Sequence, residues 1–292
     1  MRRRFPFVKG HGTENDFVLL PDPDGTLHPD LAVETVRRLT DRHAGLGADG
    51  VIRVVRSAAV DDGRDLAADA EWFMDYRNAD GSVAEMCGNG VRVLARYLWT
   101  AGLADGPVLR IGTRGGVRTV RAESEGMYTV DMGRPEPVPT VEPVRVTVRW
   151  EFPVDDAGGA AFDATAVRAP NPHAVVFVDD FHDVRPLREA PSVQPGDIFP
   201  DGVNVEYVVN SGRRHIALRV WERGVGETRS CGTGVCAAVW ATMRRDGAEP
   251  CSTYTIDIPG GRLVVTERAD GVLLLTGPAV LGVSGEFELD QV

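Results

Sequence analysis

The chain has 292 residues, of which 43% are apolar and 26% are charged, a composition typical of soluble globular proteins. Its formal net charge of −11 argues against binding to nucleic acid or to an anionic membrane surface, because both attract basic surfaces. No apolar run approaches the roughly 20 residues of a membrane span, and no apolar signal segment follows the N-terminal arginines, so we expect a cytoplasmic protein.

The lysine and cysteine patterns argue against three kinds of site. Lys9 is the only lysine among 32 basic residues, and it precedes Gly10-His11-Gly12. That context fits neither the lysine Schiff base of pyridoxal phosphate nor a P-loop. The four cysteines include no Cys-x-x-Cys pair, so zinc binding is not indicated. We therefore expect no cofactor and no metal.

Strand patterns come first along each half of the chain. Asn15 and Asp49-Gly50 each precede an apolar, β-branched run, and Glu71–Arg77 predicts a further strand that ends in a turn at Asn78. The second half repeats this order of polar turn and strand, with the corresponding segments Asn171, Asp201-Gly202-Val203, Ile216–Trp221 and Glu222. The repeated order indicates an internal duplication.

Each half then carries a Cys-Gly-x-Gly motif that opens a helical pattern. The motifs are Cys87-Gly88-Asn89-Gly90 and Cys231-Gly232-Thr233-Gly234, and the helices should end at Gly102 and Gly247, since glycine suits a left-handed C-terminal cap. The first helix is expected to carry Arg92 and Arg96 on the face opposite its apolar residues. The second is apolar nearly all round, which predicts a buried helix.

These patterns predict an α+β fold of two homologous halves related by pseudo-twofold symmetry. In each half, a strand-rich, barrel-like layer should surround a buried central helix. We expect an N-terminal half over residues 1–133, completed by the C-terminal strand region 277–292, and a C-terminal half over residues 134–276. The proline-rich segment 134–139 is expected to link them.

The position of the two cysteines suggests their chemistry. Cys87 and Cys231 each stand at a helix N-terminus, where free N–H groups and the helix dipole should lower a thiol pKa. One thiolate would remove a proton from a carbon, and a second thiol on the opposite face would return one, which inverts the centre. The helix N-termini would stabilise the carbanion and bind a carboxylate, so the reaction would need no cofactor.

The chain resembles the diaminopimelate epimerase family over most of its length. The matching motifs are His11-Gly12-Thr13-Glu14-Asn15-Asp16-Phe17, Asn78-Ala79-Asp80-Gly81-Ser82, Cys87-Gly88-Asn89-Gly90, Asn171-Pro172-His173, Val203-Asn204, Glu222-Arg223-Gly224-Val225-Gly226-Glu227-Thr228 and Cys231-Gly232-Thr233-Gly234. The resemblance implies an isomerase, an amino acid epimerase that interconverts LL- and meso-2,6-diaminoheptanedioate in lysine and peptidoglycan precursor biosynthesis. It also implies a homodimer.

The resemblance assigns a role to each site residue. Cys87 and Cys231 would be the acid/base pair, with His173 and Glu222 modulating the thiol pKa values. The backbone amides that would hold the reacting carboxylate of this zwitterionic dicarboxylate substrate belong to Gly88, Asn89, Gly232 and Thr233. The rest of the substrate would contact Asn15, Asn78, Asn171, Asn204, Glu222 and Arg223. Many family members carry glutamine as a substrate contact where this chain has Gly50, so that contact is missing here.

Other interpretations compete with this one. Related two-thiol racemases of proline and hydroxyproline share paired Cys-Gly motifs but typically carry histidine at the position of Asn89. A duplicated fold that only binds a ligand would not need both thiols. Cys236 and Cys251 are expected to be buried small apolar residues, and His11 a hydrogen-bonding residue of a loop.

Overall fold

A computed structural model describes residues 2–28, 31–150, 158–184 and 187–290. Contacts between Cα atoms divide the chain into two compact units. The N-terminal unit comprises Met1–Asp131 and Gly277–Val292, and the C-terminal unit comprises Met132–Thr276. In the described part of the chain, no helix is both long and apolar enough to cross a membrane.

Strands dominate both units. The chain begins with β1 (Arg2–Gly12), β2 (Asn15–Pro21), α1 (Val33–Thr40), β3 (Gly50–Arg56), β4 (Trp72–Asn78), α2 (Gly88–Thr100), β5 (Val108–Thr113), β6 (Gly116–Ala122) and β7 (Met127–Asp131). It continues with β8 (Glu136–Pro137), β9 (Val144–Trp150), β10 (Gly158–Arg168), β11 (Pro172–Phe177), β12 (Ser192–Gln194), β13 (Asn204–Gly212), β14 (His215–Glu222), β15 (Gly226–Thr228), α3 (Gly232–Arg245), β16 (Thr253–Ile258), β17 (Gly261–Glu267), β18 (Leu273–Pro278) and β19 (Val280–Asp290). Short 3₁₀ helices cover Ser57–Ala59, Asp61–Leu66, Ser124–Gly126, Phe181–Val184 and Gly196–Ile198.

The two units share one order of strand pairing. In the N-terminal unit, β19–β1 and β1–β2 are antiparallel, β2–β3 parallel, β3–β4 antiparallel, β4–β5 parallel, and β5–β6 and β6–β7 antiparallel. The C-terminal unit repeats these senses in the series β9–β10–β11–β13–β14–β16–β17–β18. The predicted α+β class is confirmed, and the shared pairing order agrees with a duplicated chain.

Each unit wraps its strands around one helix. Helix α2 contacts strands β1 to β7 and β19, and helix α3 contacts β10, β11, β13 and β14. Every residue of α3 from Gly232 to Met243 is buried, as its apolar sequence predicts. Both helices are followed by a glycine in the left-handed region, with φ of +66° at Gly102 and +59° at Gly247. The predicted helix ends are therefore confirmed.

The expected polar face of α2 is wrong at Arg92, whereas Arg96 is partly exposed. Arg92 is fully buried, because strands surround this helix and leave the residue no solvent-facing side. Its guanidinium is satisfied internally and donates to the carbonyl oxygen of Pro278 at 3.2 Å and to Asn89 Oδ1 at 2.8 Å. A long cationic side chain can thus occupy an enclosed position when carbonyl and amide oxygens accept its protons.

Two segments differ from what the sequence suggested. Helix α1 was not predicted, because only Val36, Leu39 and Thr40 of its eight residues are buried and the pattern is short. The proline-rich segment 134–139 contains β8, which pairs antiparallel with β10 through Val167↔Pro137. That segment therefore joins the sheet of the C-terminal unit.

Candidate active site

Both predicted catalytic cysteines are the N-caps of the two enclosed helices. Cys87 has φ −139° and ψ 116°, and Cys231 has φ −131° and ψ 110°. In each case the sulfur accepts a hydrogen bond at 3.4 Å from the third helical residue, Gly90 or Gly234. The Cys-Gly-x-Gly motif thus builds the same local geometry twice.

The surroundings of Cys87 are amide groups, and together they form what we call the N-terminal half-site. Asn15 Oδ1 lies 3.7 Å from Cys87 Sγ and accepts a hydrogen bond from Asn89 Nδ2 at 3.1 Å. Asn89 is fully buried, and its Oδ1 accepts from Arg92. The Asn89 side chain therefore makes hydrogen bonds within the protein, which leaves its backbone N–H for the predicted contact with substrate. Gly88 and Asn89 are the first helical residues, whose N–H groups have no acceptor within the helix.

Asn78 lies at the end of β4, in the turn that precedes Cys87. Its Nδ2 donates to Ser82 Oγ at 3.0 Å, and its backbone carbonyl accepts from the N–H of Gly81. This side chain shapes the turn in the structure. Its assignment to substrate binding stays a prediction.

The glycine at position 50 leaves no room for a side chain. A Cβ atom there would lie 2.5 Å from the ring of Tyr76 and 2.6 Å from the carbonyl oxygen of Arg77. The Tyr76 ring is buried and makes a T-shaped contact with Phe17, with 5.7 Å between ring centroids. The aromatic pair therefore fills the space that a residue larger than glycine would need.

Cys231 lies among ionisable groups, and these define the C-terminal half-site. The thiol is buried and lies 3.5 Å from Thr233 Oγ1. Burial raises the pKa of the Cys231 thiol well above 9, and the negative charges of Glu222 and Glu206 raise it further. The Thr233 hydroxyl and the Gly234 N–H lower it, but less. The helix N-terminus therefore lowers this pKa as expected, but burial and the two carboxylates outweigh it, so the net shift at Cys231 is upward.

A buried histidine–glutamate pair lies in the same half-site. His173 and Glu206 are both fully buried, with 2.7 Å between His173 Nδ1 and Glu206 Oε1. His173 Nε2 is 2.9 Å from Asn171 Oδ1, which brings two predicted site residues together. A Cβ at Gly234 would meet Glu206 Oε1 at 2.6 Å, so the glycine allows this carboxylate to approach the first turn of α3.

Glu206 is a functional candidate that the sequence reasoning missed. The signal was a lone charged residue in the buried run Asn204–Val208, at a strand position where apolar side chains are the rule. Its Oε2 is buried and has no hydrogen-bond partner among the described residues. An incompletely satisfied buried carboxylate beside a thiol is typical of a functional site.

The remaining predicted substrate contacts lie at the end of β14 and the start of β13. Burial raises the pKa of Glu222, whose Oε1 accepts a hydrogen bond from the Thr228 hydroxyl at 2.5 Å. The buried Asn204 accepts from the backbone N–H of Arg223 at 3.0 Å through its Oδ1. The Arg223 side chain is exposed and donates to the carbonyl oxygen of Asp201 at 3.0 Å.

Cys236, Cys251 and His11 are the remaining residues for which the sequence predicts a structural role. Cys236 is buried in α3, as expected. Cys251 is exposed, so the expectation of burial is wrong there; it lies in a turn with φ +62°. His11 lies in β1 and not in a loop, so the expected placement is wrong, but its Nδ1 does accept a hydrogen bond, from the N–H of Glu14 at 3.3 Å.

Comparisons with known proteins point to one family. A profile of the family described as diaminopimelate epimerase matches residues 7–138 and 165–282. The chain is 54% identical to the diaminopimelate epimerase of Streptomyces coelicolor, with 99% of this chain and 97% of the relative covered. It is 46% identical to that of Thermobifida fusca, with 98% and 99% covered.

Solved structures with low identity share the fold. A hydroxyproline epimerase from Agrobacterium vitis with bound trans-4-hydroxy-L-proline aligns with a TM-score of 0.69 at 16% identity, covering 100% of this chain and 95% of its own. A phenazine biosynthesis protein of Bacillus anthracis aligns with a TM-score of 0.65 at 16% identity, covering 99% and 100%. These likenesses concern the fold alone, whereas the match to the curated relatives extends over nearly the whole sequence. The chain belongs to the diaminopimelate epimerase family.

Proposed function

We propose that this protein interconverts LL- and meso-2,6-diaminoheptanedioate, with Cys87 and Cys231 as the acid/base pair. One observation carries the proposal: in a member of this family, two cysteines cap the two enclosed helices with closely similar backbone angles and the same sulfur contact. Membership supports the substrate, and the repeated geometry supports equal roles for the two thiols.

The proposed reaction is a pair of proton transfers at one α-carbon. One cysteine, as thiolate, removes the α-proton and becomes a thiol, and the carbon keeps the electron pair as a planar carbanion. The other cysteine, as thiol, then gives its proton to the opposite face and becomes a thiolate. No proton or electron is gained or lost overall, and the reverse reaction exchanges the two roles.

Backbone N–H groups supply the charge stabilisation in this proposal. The reacting carboxylate would accept hydrogen bonds from the helix N-termini at Gly88, Asn89, Gly232 and Thr233, where the helix dipole is positive. Negative charge that develops toward this carboxylate is thereby stabilised by groups already in place. The distal end of the substrate would be bound by Arg223, Glu222 and the asparagines Asn15, Asn78, Asn171 and Asn204. The Arg223 guanidinium has several donors, and only its Nη1 is used by Asp201.

The resting protonation states follow from the two half-sites. Burial and two carboxylates raise the pKa of Cys231, which favours its thiol form at neutral pH. We infer that Glu222 modulates this thiol directly, and that His173 acts in the same half-site through Glu206. Cys231 would therefore be protonated before substrate binds and would act as the acid in the first turnover.

A deuterium-exchange assay tests the proposal. In D₂O, the wild-type protein should incorporate deuterium at the α-carbon of LL-diaminoheptanedioate as the meso isomer forms. Cys87→Ala and Cys231→Ala should each lose inversion by several orders of magnitude, whereas Cys251→Ala, which alters an exposed cysteine, should retain it. An Ala variant of either proposed catalytic cysteine that inverts the substrate at the wild-type rate contradicts the two-thiol mechanism. Turnover of proline or hydroxyproline in place of diaminoheptanedioate would favour the racemase alternative.

We further propose that the enzyme acts in the cytoplasm as a homodimer. None of the four cysteines, Cys87, Cys231, Cys236 and Cys251, forms a disulfide, as expected in a reducing compartment. The homodimer is supported by the family resemblance. Light scattering after size exclusion should give twice the mass of the 31.6 kDa chain, and a monomeric mass contradicts this part of the proposal.

A further inference from the structure

A directed chain of hydrogen bonds passes through Asn15, beside Cys87. Asn15 Nδ2 donates to Asp49 Oδ2 at 2.8 Å, and Asn15 Oδ1 accepts from Asn89 Nδ2 at 3.1 Å. Asn89 Oδ1 in turn accepts from Arg92 Nη2 at 2.8 Å. The chain thus begins at a guanidinium and ends at a carboxylate.

Its two ends determine the orientation of both amides. The Arg92 guanidinium can only donate, and the Asp49 carboxylate, when ionised, can only accept. Asn89 and Asn15 lie between them, and each offers one oxygen and one NH₂ group. A single arrangement satisfies every link, and in that arrangement the Asn15 oxygen points toward the thiol of Cys87 at 3.7 Å.

The orientation of Asn15 matters for the protonation of Cys87. A carbonyl oxygen can accept a hydrogen bond from an S–H group, but it offers nothing to a thiolate. The Gly90 N–H, which donates to the sulfur at 3.4 Å, favours the thiolate instead. If the Asn15 amide turned over, its NH₂ group would replace the oxygen and would also favour the thiolate.

The carboxylate of Asp49 is held in place although 42% of its side chain is exposed. Its Oδ1 accepts from Arg42 Nη2 at 2.7 Å, and its Oδ2 also accepts from the backbone N–H of Asp16 at 3.1 Å. Asp16 binds the same arginine at 2.8 and 3.2 Å and forms an ion pair with Lys9 at 3.0 Å. The charged groups behind Asn15 are therefore two carboxylates and two cations, with Arg92 at the opposite end.

We propose that Asp49 is a positioning residue for Cys87: by holding the NH₂ group of Asn15, it keeps the Asn15 oxygen turned to the thiol and favours the protonated form. The importance of this for inversion rests on the proposed function, in which Cys87 must return a proton in one direction of the reaction. The effect on the thiol itself does not depend on turnover.

The test measures the alkylation rate of Cys87 by iodoacetamide against pH, with mass spectrometry of the peptide that contains it. Only the thiolate reacts, so the rate at neutral pH reports the thiolate fraction. Asp49→Ala should raise this rate about three- to tenfold, the range expected for loss of one modest hydrogen bond. Asn15→Ala should raise it similarly, and Asp49→Ala should add nothing in the Asn15→Ala background.

Asp16→Ala is the matched control, because it removes a carboxylate from the same charged group without freeing Asn15 Nδ2. It should leave the Cys87 alkylation rate within about twofold of wild type. Three results would each overturn the proposal: no change in Asp49→Ala, an equal change in Asp16→Ala, or an Asp49 effect that persists without the Asn15 amide. The last two would indicate a simple charge effect.

A second variant covers the case in which Asp49→Ala does not fold. Asparagine at position 49 can present its one oxygen to Arg42 or to Asn15 but not to both, so Asp49→Asn should raise the rate in the same direction by a smaller factor. An unchanged rate there also overturns the proposal. Because alkylation needs no substrate, failure of the epimerisation assay and failure of this test are separate outcomes.

Discussion

Adding one methyl group at Gly234 should disturb the C-terminal half-site, whereas the equivalent change at Gly90 should not. Both glycines are the third residue of an enclosed helix and donate to a cysteine sulfur. A Cβ at Gly234 would lie 2.6 Å from Glu206 Oε1, inside the 3.4 Å at which ordinary contacts begin. A Cβ at Gly90 would meet only side-chain atoms, the nearest being Ile52 Cδ1 at 3.1 Å.

The expected change in stability of Gly234→Ala follows from the displacement of the Glu206 carboxylate. Glu206 is fully buried and bonded to His173 at 2.7 Å, so a shift of its carboxylate weakens a charged hydrogen bond worth about 1.5–3 kcal/mol. Replacing glycine by alanine within a helix returns up to about 1 kcal/mol. The net loss of unfolding free energy in Gly234→Ala should therefore be about 1 kcal/mol. In Gly90→Ala, a methyl group needs to yield only slightly, and the two effects should nearly cancel.

Thermal unfolding and epimerisation of both variants provide the assay. A loss of about 1 kcal/mol should lower the Tm of Gly234→Ala by about 2–4 °C, while Gly90→Ala should remain within about 1 °C of wild type. Activity should fall more in Gly234→Ala, because the moved carboxylate lies beside Cys231. Equal Tm values for the two variants would refute the reasoning, since the contact with Glu206 would then not limit what position 234 can hold.

Two further changes test the half-sites separately. Glu206→Gln should lower the pKa of Cys231 toward its usual value near 9, because one of the carboxylates that raise it is lost; the pH profile of Cys231 alkylation measures this, and an unchanged profile contradicts it. A group whose pKa is raised on folding stabilises the fold fully below its unfolded pKa, near pH 9 for a thiol, and this contribution is lost as the pH rises above that value. The Glu206→Gln variant should therefore lose less stability than wild type at alkaline pH, which the midpoints of urea unfolding measure. Gly50→Gln should destabilise the protein by about 1–3 kcal/mol, because its side chain meets both the Tyr76 ring and a backbone carbonyl oxygen; a Tm equal to wild type would rule this out.

The local geometry of the thiols could be predicted from the sequence because it depends on neighbouring residues. A cysteine followed by Gly-x-Gly supplies a capping sulfur and a close N–H three residues later, and both helices end at a glycine with positive φ. The duplication was visible for the same reason: turns, caps and strand starts recur in one order. Strand pairing then follows in the same order in the two units.

What the sequence did not predict depends on tertiary contacts. Arg92 has the sequence signature of a polar helix face, yet strands enclose it, and oxygen atoms distant in sequence accept its protons. Glu206 was missed because its partner His173 lies 33 residues away on a neighbouring strand. The net upward shift of the Cys231 pKa was not predicted for a related reason. The helix N–H groups that lower the pKa can be read from neighbouring residues, but the burial and the two carboxylates that raise it come from the surrounding fold.

Strand register shows where the duplicated half-sites diverged. Phe17 in β2 and His173 in β11 occupy equivalent positions. Phe17 pairs with Gly50 at the start of β3, and His173 pairs with Asn204 at the start of β13, and both strand pairs are parallel. Two residues further along β3 and β13, Ile52 corresponds to Glu206. Each of these side chains approaches the third residue of the enclosed helix in its unit, Gly90 or Gly234. An apolar pair of positions in one unit is therefore a hydrogen-bonded histidine–glutamate pair in the other.

This divergence fits what the proposed reaction requires of two like groups. Inversion needs two groups of like geometry, and a repeated cap in each unit supplies two cysteines whose local geometry is alike. It also needs unlike protonation, because at each moment one sulfur must be charged and the other neutral. The caps cannot provide the difference, since their sulfur contacts are equal in the two units. The side chains around them can: the carboxylates beside Cys231 raise the pKa of that thiol, whereas the side chain described beside Cys87 is the amide of Asn15.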